Sequence, residues 1–273
     1  MISLAALTIL DAGPVRQVRA AAAAGFDAVG LRLMPLLETD IDIFASPNGP
    51  AELQNALKQT GLSVTEIGVF PIRADMDVEA CAPVLSLSHK IGARFITCPV
   101  EDADRTRAIA TFSRLCDLAE SCGLDALIEF NPYSACRNLG EALAIVEESG
   151  RENARLLIDV LHLSRSGGKP SDLLTIEPGL IALIHLCDAP LPPARTAGIE
   201  ELRRESRTAR MYPGEGALWL DEMLDIIPAN VPLSVEAPSA AHAGLSVDER
   251  ALAAFEATRM LLRRHGRISG PSD

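Results

Sequence analysis

Residues 156–168 read LLIDVLHLSRSGG, an apolar run suited to a buried strand but broken by Asp159, His162 and Arg165. Burying unpaired ionisable groups is costly, so such interruptions need a reason. The pattern recurs in three other apolar runs, with Glu129 in LIEFNP, His185 in LIHLCD and Glu236 in LSVEAP, each polar group near the C-terminal end of its run. Three carboxylates crowded into a dry site repel one another unless they are protonated or a cation neutralises them. Three oxygen ligands and one imidazole suit one divalent ion, Mn²⁺ or Mg²⁺ first and Co²⁺ or Zn²⁺ next. A structural zinc site would draw on cysteines instead.

Four side chains this far apart in sequence meet only if the fold brings strand ends together. Eight β-rich apolar runs cover 2–10, 28–34, 63–70, 94–100, 125–130, 154–160, 181–187 and 231–237, and helical patterns alternate with them. In 104–121, for example, Ile109, Phe112, Cys116 and Ala119 share one helical face. Gly25, Gly61 and Gly123 precede strands where a helix end favours a left-handed residue, and Asn138 with Glu141 and Ser246 with Glu249 read as capping boxes. Strands apolar on both faces and separated by helices make a parallel sheet, and eight units predict a closed (β/α)8 TIM barrel forming one domain over residues 1–273. The first run carries no GxGxxG after it, which disfavours an open dinucleotide-binding sheet. Long connections at 35–49 and 188–213 leave the strand ends where barrels build active sites.

The chain has 273 residues, 48% of them apolar, and a formal net charge of −12, which opposes nucleic-acid binding through a basic face. Arg195, Arg203, Arg204, Arg207 and Arg210 cluster, but interleaved Glu200, Glu201 and Glu205 make that stretch a solvated loop or short helix. No apolar stretch approaches a membrane span, and MISLAALTIL lacks a basic leader region and reads as the first strand. Six scattered cysteines without a CxxC pair read as reduced thiols, so a cytoplasmic protein is expected, with no membrane partner and with homo-oligomerisation left open.

The order Glu, Asp-x-x-His, His, Glu, with IEFNP, DVLHLSRSGG, IHLCD, YPGEG and SVEAP in sequence, resembles the xylose isomerase-like TIM barrels of the sugar phosphate isomerase/epimerase superfamily. The resemblance covers nearly the whole chain. It implies that Glu129, Asp159, His185 and Glu236 hold one divalent metal and that Glu129 and Glu236 serve as the acid/base pair. It also implies that His162 donates to a substrate oxygen. Endonuclease IV-like relatives hold three zinc ions with extra histidines on strands two and three; AVGLRLM and SVTEIGVFPI contain none.

Arg165, before Ser166-Gly167-Gly168, and Arg210, before the Tyr-Pro-Gly-Glu-Gly loop, suit an anionic or strongly polar substrate end, and Asn131 and Tyr133 are placed to shape the pocket. Glu215 is expected to bond a neighbouring loop or orient His185, and Asp188 to support the site without ligating. His89, His242 and His265 receive no role.

The expected chemistry is proton abstraction next to a carbonyl through a metal-stabilised enediolate, in a sugar or polyol isomerase or epimerase. The substrate is expected to be a sugar, polyol or cyclic hydroxy-ketone. The alternative is a lyase of the inosose or dehydroshikimate dehydratase kind, in which the same enolate expels a β-hydroxyl; a carboxylate bound by Arg165 or Arg210 would favour it. A noncatalytic barrel subunit is the third reading, opposed by retention of all four candidate ligands.

Overall fold

The computed structural model describes residues 1–36, 40–191 and 198–268. Eight parallel strands close into a barrel in sequence order: β1 Ile2–Leu4, β2 Ala28–Arg32, β3 Ser63–Gly68, β4 Phe95–Pro99, β5 Asp125–Glu129, β6 Ala154–Asp159, β7 Ile181–Leu186 and β8 Leu233–Val235. The molecule is a single-domain (β/α)8 TIM barrel.

Alternation along the strands explains where the polar residues go. Side chains two apart share a face. On β4 to β7, Ile96, Ile128, Ile158 and Ile184 face outward into the main core beneath the helices. Phe95, Leu127, Leu157 and Leu183 form a separate buried cluster, the apolar floor inside the barrel. One step of two residues beyond that floor lie Thr97, Glu129, Asp159 and His185. Asp159 is in register with His185 and His185 with Ser234, so the interior polar groups share one layer across neighbouring strands.

The helices are set by ordinary local signals. The helix Gly13–Ala24 ends on Gly25 at φ 101°, a conformation that a Cβ disfavours. Ser246 and Glu249 form the expected reciprocal capping box of Val247–Arg264. At Asn138 only half of the expected box forms: its side chain accepts from Glu141 N–H, while the Glu141 carboxylate accepts from Arg137 N–H.

Two expectations need correction. The strand expected over 2–10 ends at Leu4, and Ala6–Ala12 is a 3-10 helix. An apolar run alone does not separate strand from buried helix. This turn carries Thr8 to the end of β8, where its Oγ1 donates to Val235 O and accepts from Ala237 N–H. After β6, the expected covering helix is only the short Val160–Arg165, ended by Ser166-Gly167-Gly168 and followed by the 3-10 segment Pro170–Thr175. The basic stretch after β7 is helical over Ile199–Thr208; Arg195 lies outside the described residues. No helix among the described residues is long and apolar enough to cross a membrane.

Candidate active site and metal centre

Glu129, Asp159, His185 and Glu236 converge at the C-terminal mouth of the barrel, each offering a ligand atom, with these atoms all within 4.8 Å of one another. His185 Nδ1 lies 3.4 Å from Glu236 Oε2 and 3.8 Å from Glu129 Oε1. Among the described residues neither ring nitrogen of this buried histidine has a well-formed hydrogen-bond partner. An orphaned imidazole nitrogen facing a nest of carboxylates is what a divalent cation with oxygen and nitrogen ligands requires, so these residues fit one ion.

The electrostatics show how the fold tolerates such crowding. Burial, and next the charge of Glu236, push the Glu129 carboxyl up to about 8. Burial works against charge on Glu236 as well, but His185 and Arg210 overcome it and hold Glu236 below the usual carboxylate range. Burial likewise opposes charge on His185, and the carboxylates of Glu236 and Glu66 raise it well above the usual imidazole value. For Asp159 the burial penalty is outweighed by Arg210 and then His162, which keep it low.

Arg210 enters this site from behind. Its Nη1 donates to Asp159 Oδ2 at 2.6 Å and to the Glu236 carbonyl at 3.0 Å, and its Nη2 lies 3.0 Å from Glu236 Oε2. Nε donates to Ser206 O, and Nη2 to Ser206 Oγ. The other oxygen of Asp159 accepts from His162 N–H, capping the Val160–Arg165 helix. His162 is buried, and burial pushes it down to about 4 against the pull of Asp159. Its ring meets Tyr133 edge-on, with centroids 5.6 Å apart, and Tyr133 OH shares a 2.8 Å hydrogen bond with Ser206 Oγ. Asn131 is buried, and its Oδ1 has no hydrogen-bond partner among the described residues.

The remaining candidates have protein partners of their own. The guanidinium of Arg165 grips Glu205 with two hydrogen bonds of 2.6 and 2.7 Å and reaches Pro190 O and Ser164 Oγ, so it ties Val160–Arg165 to Ile199–Thr208. Glu215 does not orient His185: it accepts from Tyr212 N–H and faces His242 at 3.9 Å. Asp188 organises the Pro213–Gly216 loop by accepting from Ala189, Gly214 and Leu218 N–H, and a Cβ on Gly216 would sit 2.4 Å from its Oδ1. His242, given no role from sequence, stacks on Tyr212.

Sequence reasoning missed Glu66. It sits mid-strand on β3, buried inside the barrel, with Oε1 3.5 Å from His185 Nε2. The available signal was one charged residue inside the apolar run SVTEIGVF. A cleft of about 440 Å³, lined in part by Thr8, Asp11, Asp40, Arg207, Ser239 and Arg250, opens on the β1–β8 side of the mouth, a size suited to a small molecule.

A family model described as xylose isomerase-like TIM barrel matches residues 18–263. The chain belongs to this family. Among curated members it is similar to an inosose isomerase of Halalkalibacterium halodurans, 28% identical over 162 residues, covering 58% of this chain and 55% of that protein. The chain thus spans about half the length of that relative. Among solved structures of the xylose isomerase-like fold, the IolI protein with a bound zinc atom superposes with a TM-score of 0.81 at 17% identity, over 96% of this chain and 98% of that one. D-allulose 3-epimerase from Methylomonas sp., in complex with D-allulose, gives 0.68 at 19% identity over 95% and 96% of the two chains. At these identities the superpositions speak to fold.

Proposed function

We infer that this chain is a divalent-metal-dependent isomerase or epimerase acting on a neutral polyhydroxylated ketone of the sugar or inosose class. The observation that carries this reading is the convergence of Glu129, Asp159, His185 and Glu236, with the two glutamates leaving different strands of the barrel, β5 and the end of β8. A divalent ion held by these four residues would supply the Lewis acid that draws charge from a substrate carbonyl and its adjacent hydroxyl, Mn²⁺ suiting the donor set and zinc having precedent in the superposed IolI protein.

The protein's own groups account for the rest. Glu129 and Glu236 approach the site from different strands, so one carboxylate oxygen is placed to remove the acidified proton and the other to return one on the opposite side. Asn131 Oδ1, buried and unpartnered, is an acceptor for a substrate hydroxyl. His162, held neutral and braced by Tyr133, is the nearby ring suited to hydrogen-bonding a substrate oxygen. Arg210 fixes Asp159 and Glu236. A neutral substrate is favoured because Arg165 and Arg210 already grip carboxylates of the protein, which removes the reason for preferring a carboxylate-bearing lyase substrate.

Protein stripped with chelator and reloaded with Mn²⁺, Mg²⁺, Co²⁺ or Zn²⁺ tests this reading by incubation with inososes and ketoses in D₂O. Exchange of the hydrogen next to the carbonyl is expected in a metal-loaded form, and its loss in Glu236→Gln or Glu129→Gln identifies the base. No exchange with any metal and any such ketone overturns the proposal, as does undiminished exchange in both metal-loaded variants.

A further inference from the structure

Resting on the reading of the four-residue metal centre, we propose that Glu66 is a positioning residue that fixes the tautomer and ring orientation of His185. Glu66 projects into the barrel beside β2, where Gly30 makes room: a Cβ at position 30 would lie 2.0 Å from Glu66 Oε1. Its side chain is 4% exposed. Ser234 Oγ donates to Oε1 at 2.7 Å, while Oε2 is buried with no partner among the described residues. Its ion-pair contact among the described residues is His185. A fold selecting only for stability would fill this space with an apolar side chain, because a buried carboxylate with an unsatisfied oxygen is unfavourable.

The geometry gives that carboxylate a task. The imidazole of His185 points Nδ1 at Glu129 and Glu236 and Nε2 at Glu66. The Glu66 oxygen that faces Nε2 is an acceptor, so it calls for a proton on Nε2. The lone pair then resides on Nδ1, the nitrogen inside the four-ligand cluster. Ser234, in register with His185 on β8, holds Glu66 by its hydroxyl, so β3, β7 and β8 all contribute to the aim of one ring. The 3.5 Å separation is slightly longer than a hydrogen bond, so a small turn of the ring would complete one.

The test uses the full chain and Zn²⁺ as the probe. Affinity is measured by competition with a chromophoric chelator for wild type, Glu66→Leu, Glu66→Gln and Asp159→Ala, alongside melting of each metal-free form. Glu66→Leu is expected to weaken Zn²⁺ binding about 10–100-fold without lowering the metal-free melting temperature, and Glu66→Gln, whose amide oxygen still accepts from Nε2–H, to recover most of the loss. Nitrogen-15 NMR of the Zn²⁺-loaded wild type should show His185 protonated on Nε2. Wild-type affinity in Glu66→Leu, equal losses in the Leu and Gln variants, or a proton on Nδ1 of His185 overturns the proposal. Should Asp159→Ala also keep its zinc, the metal centre itself is wrong; if only Glu66→Leu keeps it, the centre stands and Glu66 has no part in it.

Discussion

Arg210 Nη1 and Asp159 Oδ2 meet at 2.6 Å with both side chains sealed from solvent. The guanidinium thus supplies the positive charge that lets Asp159 remain ionised inside the barrel.

Removing that guanidinium exposes the cost. Arg210→Met should destabilise the metal-free protein by about 3–5 kcal/mol, because it leaves Asp159 and Glu236 buried without the guanidinium that balances their charge. Addition of a divalent ion should restore much of the loss, since the ion supplies the missing charge. Urea unfolding with and without chelator measures both; equal losses in the two conditions would show that the ion and Arg210 do not share Asp159 and Glu236.

Loading the site should release protons. Glu129, pushed up to about 8, and His185, held well above the usual imidazole value, each carry a proton near pH 7 in the metal-free protein. Both must lose it to become ligands, so about two protons should appear per ion bound in a weakly buffered titration. The stability sign follows from the raised Glu129: its contribution is complete below the ordinary 4.5 and is lost as pH rises towards about 8. A titration that releases no protons removes this account of Glu129 and His185.

His162 works in the opposite sense. Its value of about 4, against an ordinary 6.5, means that between those limits the unfolded chain binds a proton that the native one refuses. This contribution, on the order of 3 kcal/mol, is complete above pH 6.5 and disappears as pH falls towards 4. His162→Gln should therefore show a shallower loss of stability across that window than wild type in parallel denaturant titrations. Parallel curves would mean that His162 is not held neutral by burial.

Arg165 and Glu205 should behave as one unit. A double-mutant cycle with Arg165→Met and Glu205→Gln is expected to give a coupling energy of about 1–2 kcal/mol, reflecting the docking of Ile199–Thr208 on Val160–Arg165. If instead Arg165→Met raises KM while stability is unchanged, the arginine contacts substrate as its neighbouring glycines suggested.

What could be seen in the sequence depended on the reach of each interaction. The period of two along β5, β6 and β7 makes Leu127 and Glu129, Leu157 and Asp159, and Leu183 and His185 successive inward residues, so their convergence is legible once the barrel is recognised. Glu66 escapes that logic: it lies mid-strand, and its room comes from Gly30 on the neighbouring strand and its hydroxyl partner from Ser234 across the barrel. The destination of Arg165 depended on how a helix 40 residues later lies over the mouth, which local pattern does not specify. The 3-10 turn at Ala6–Ala12 was hidden because its apolar residues are equally at home in a strand.

The floor of Phe95, Leu127, Leu157 and Leu183 makes the barrel a well rather than a tube. A molecule that reaches the four candidate ligands would have to enter from the C-terminal side and leave the same way. On the proposed function, product would have to leave before the next substrate could enter, and it should act as a competitive inhibitor of its own formation.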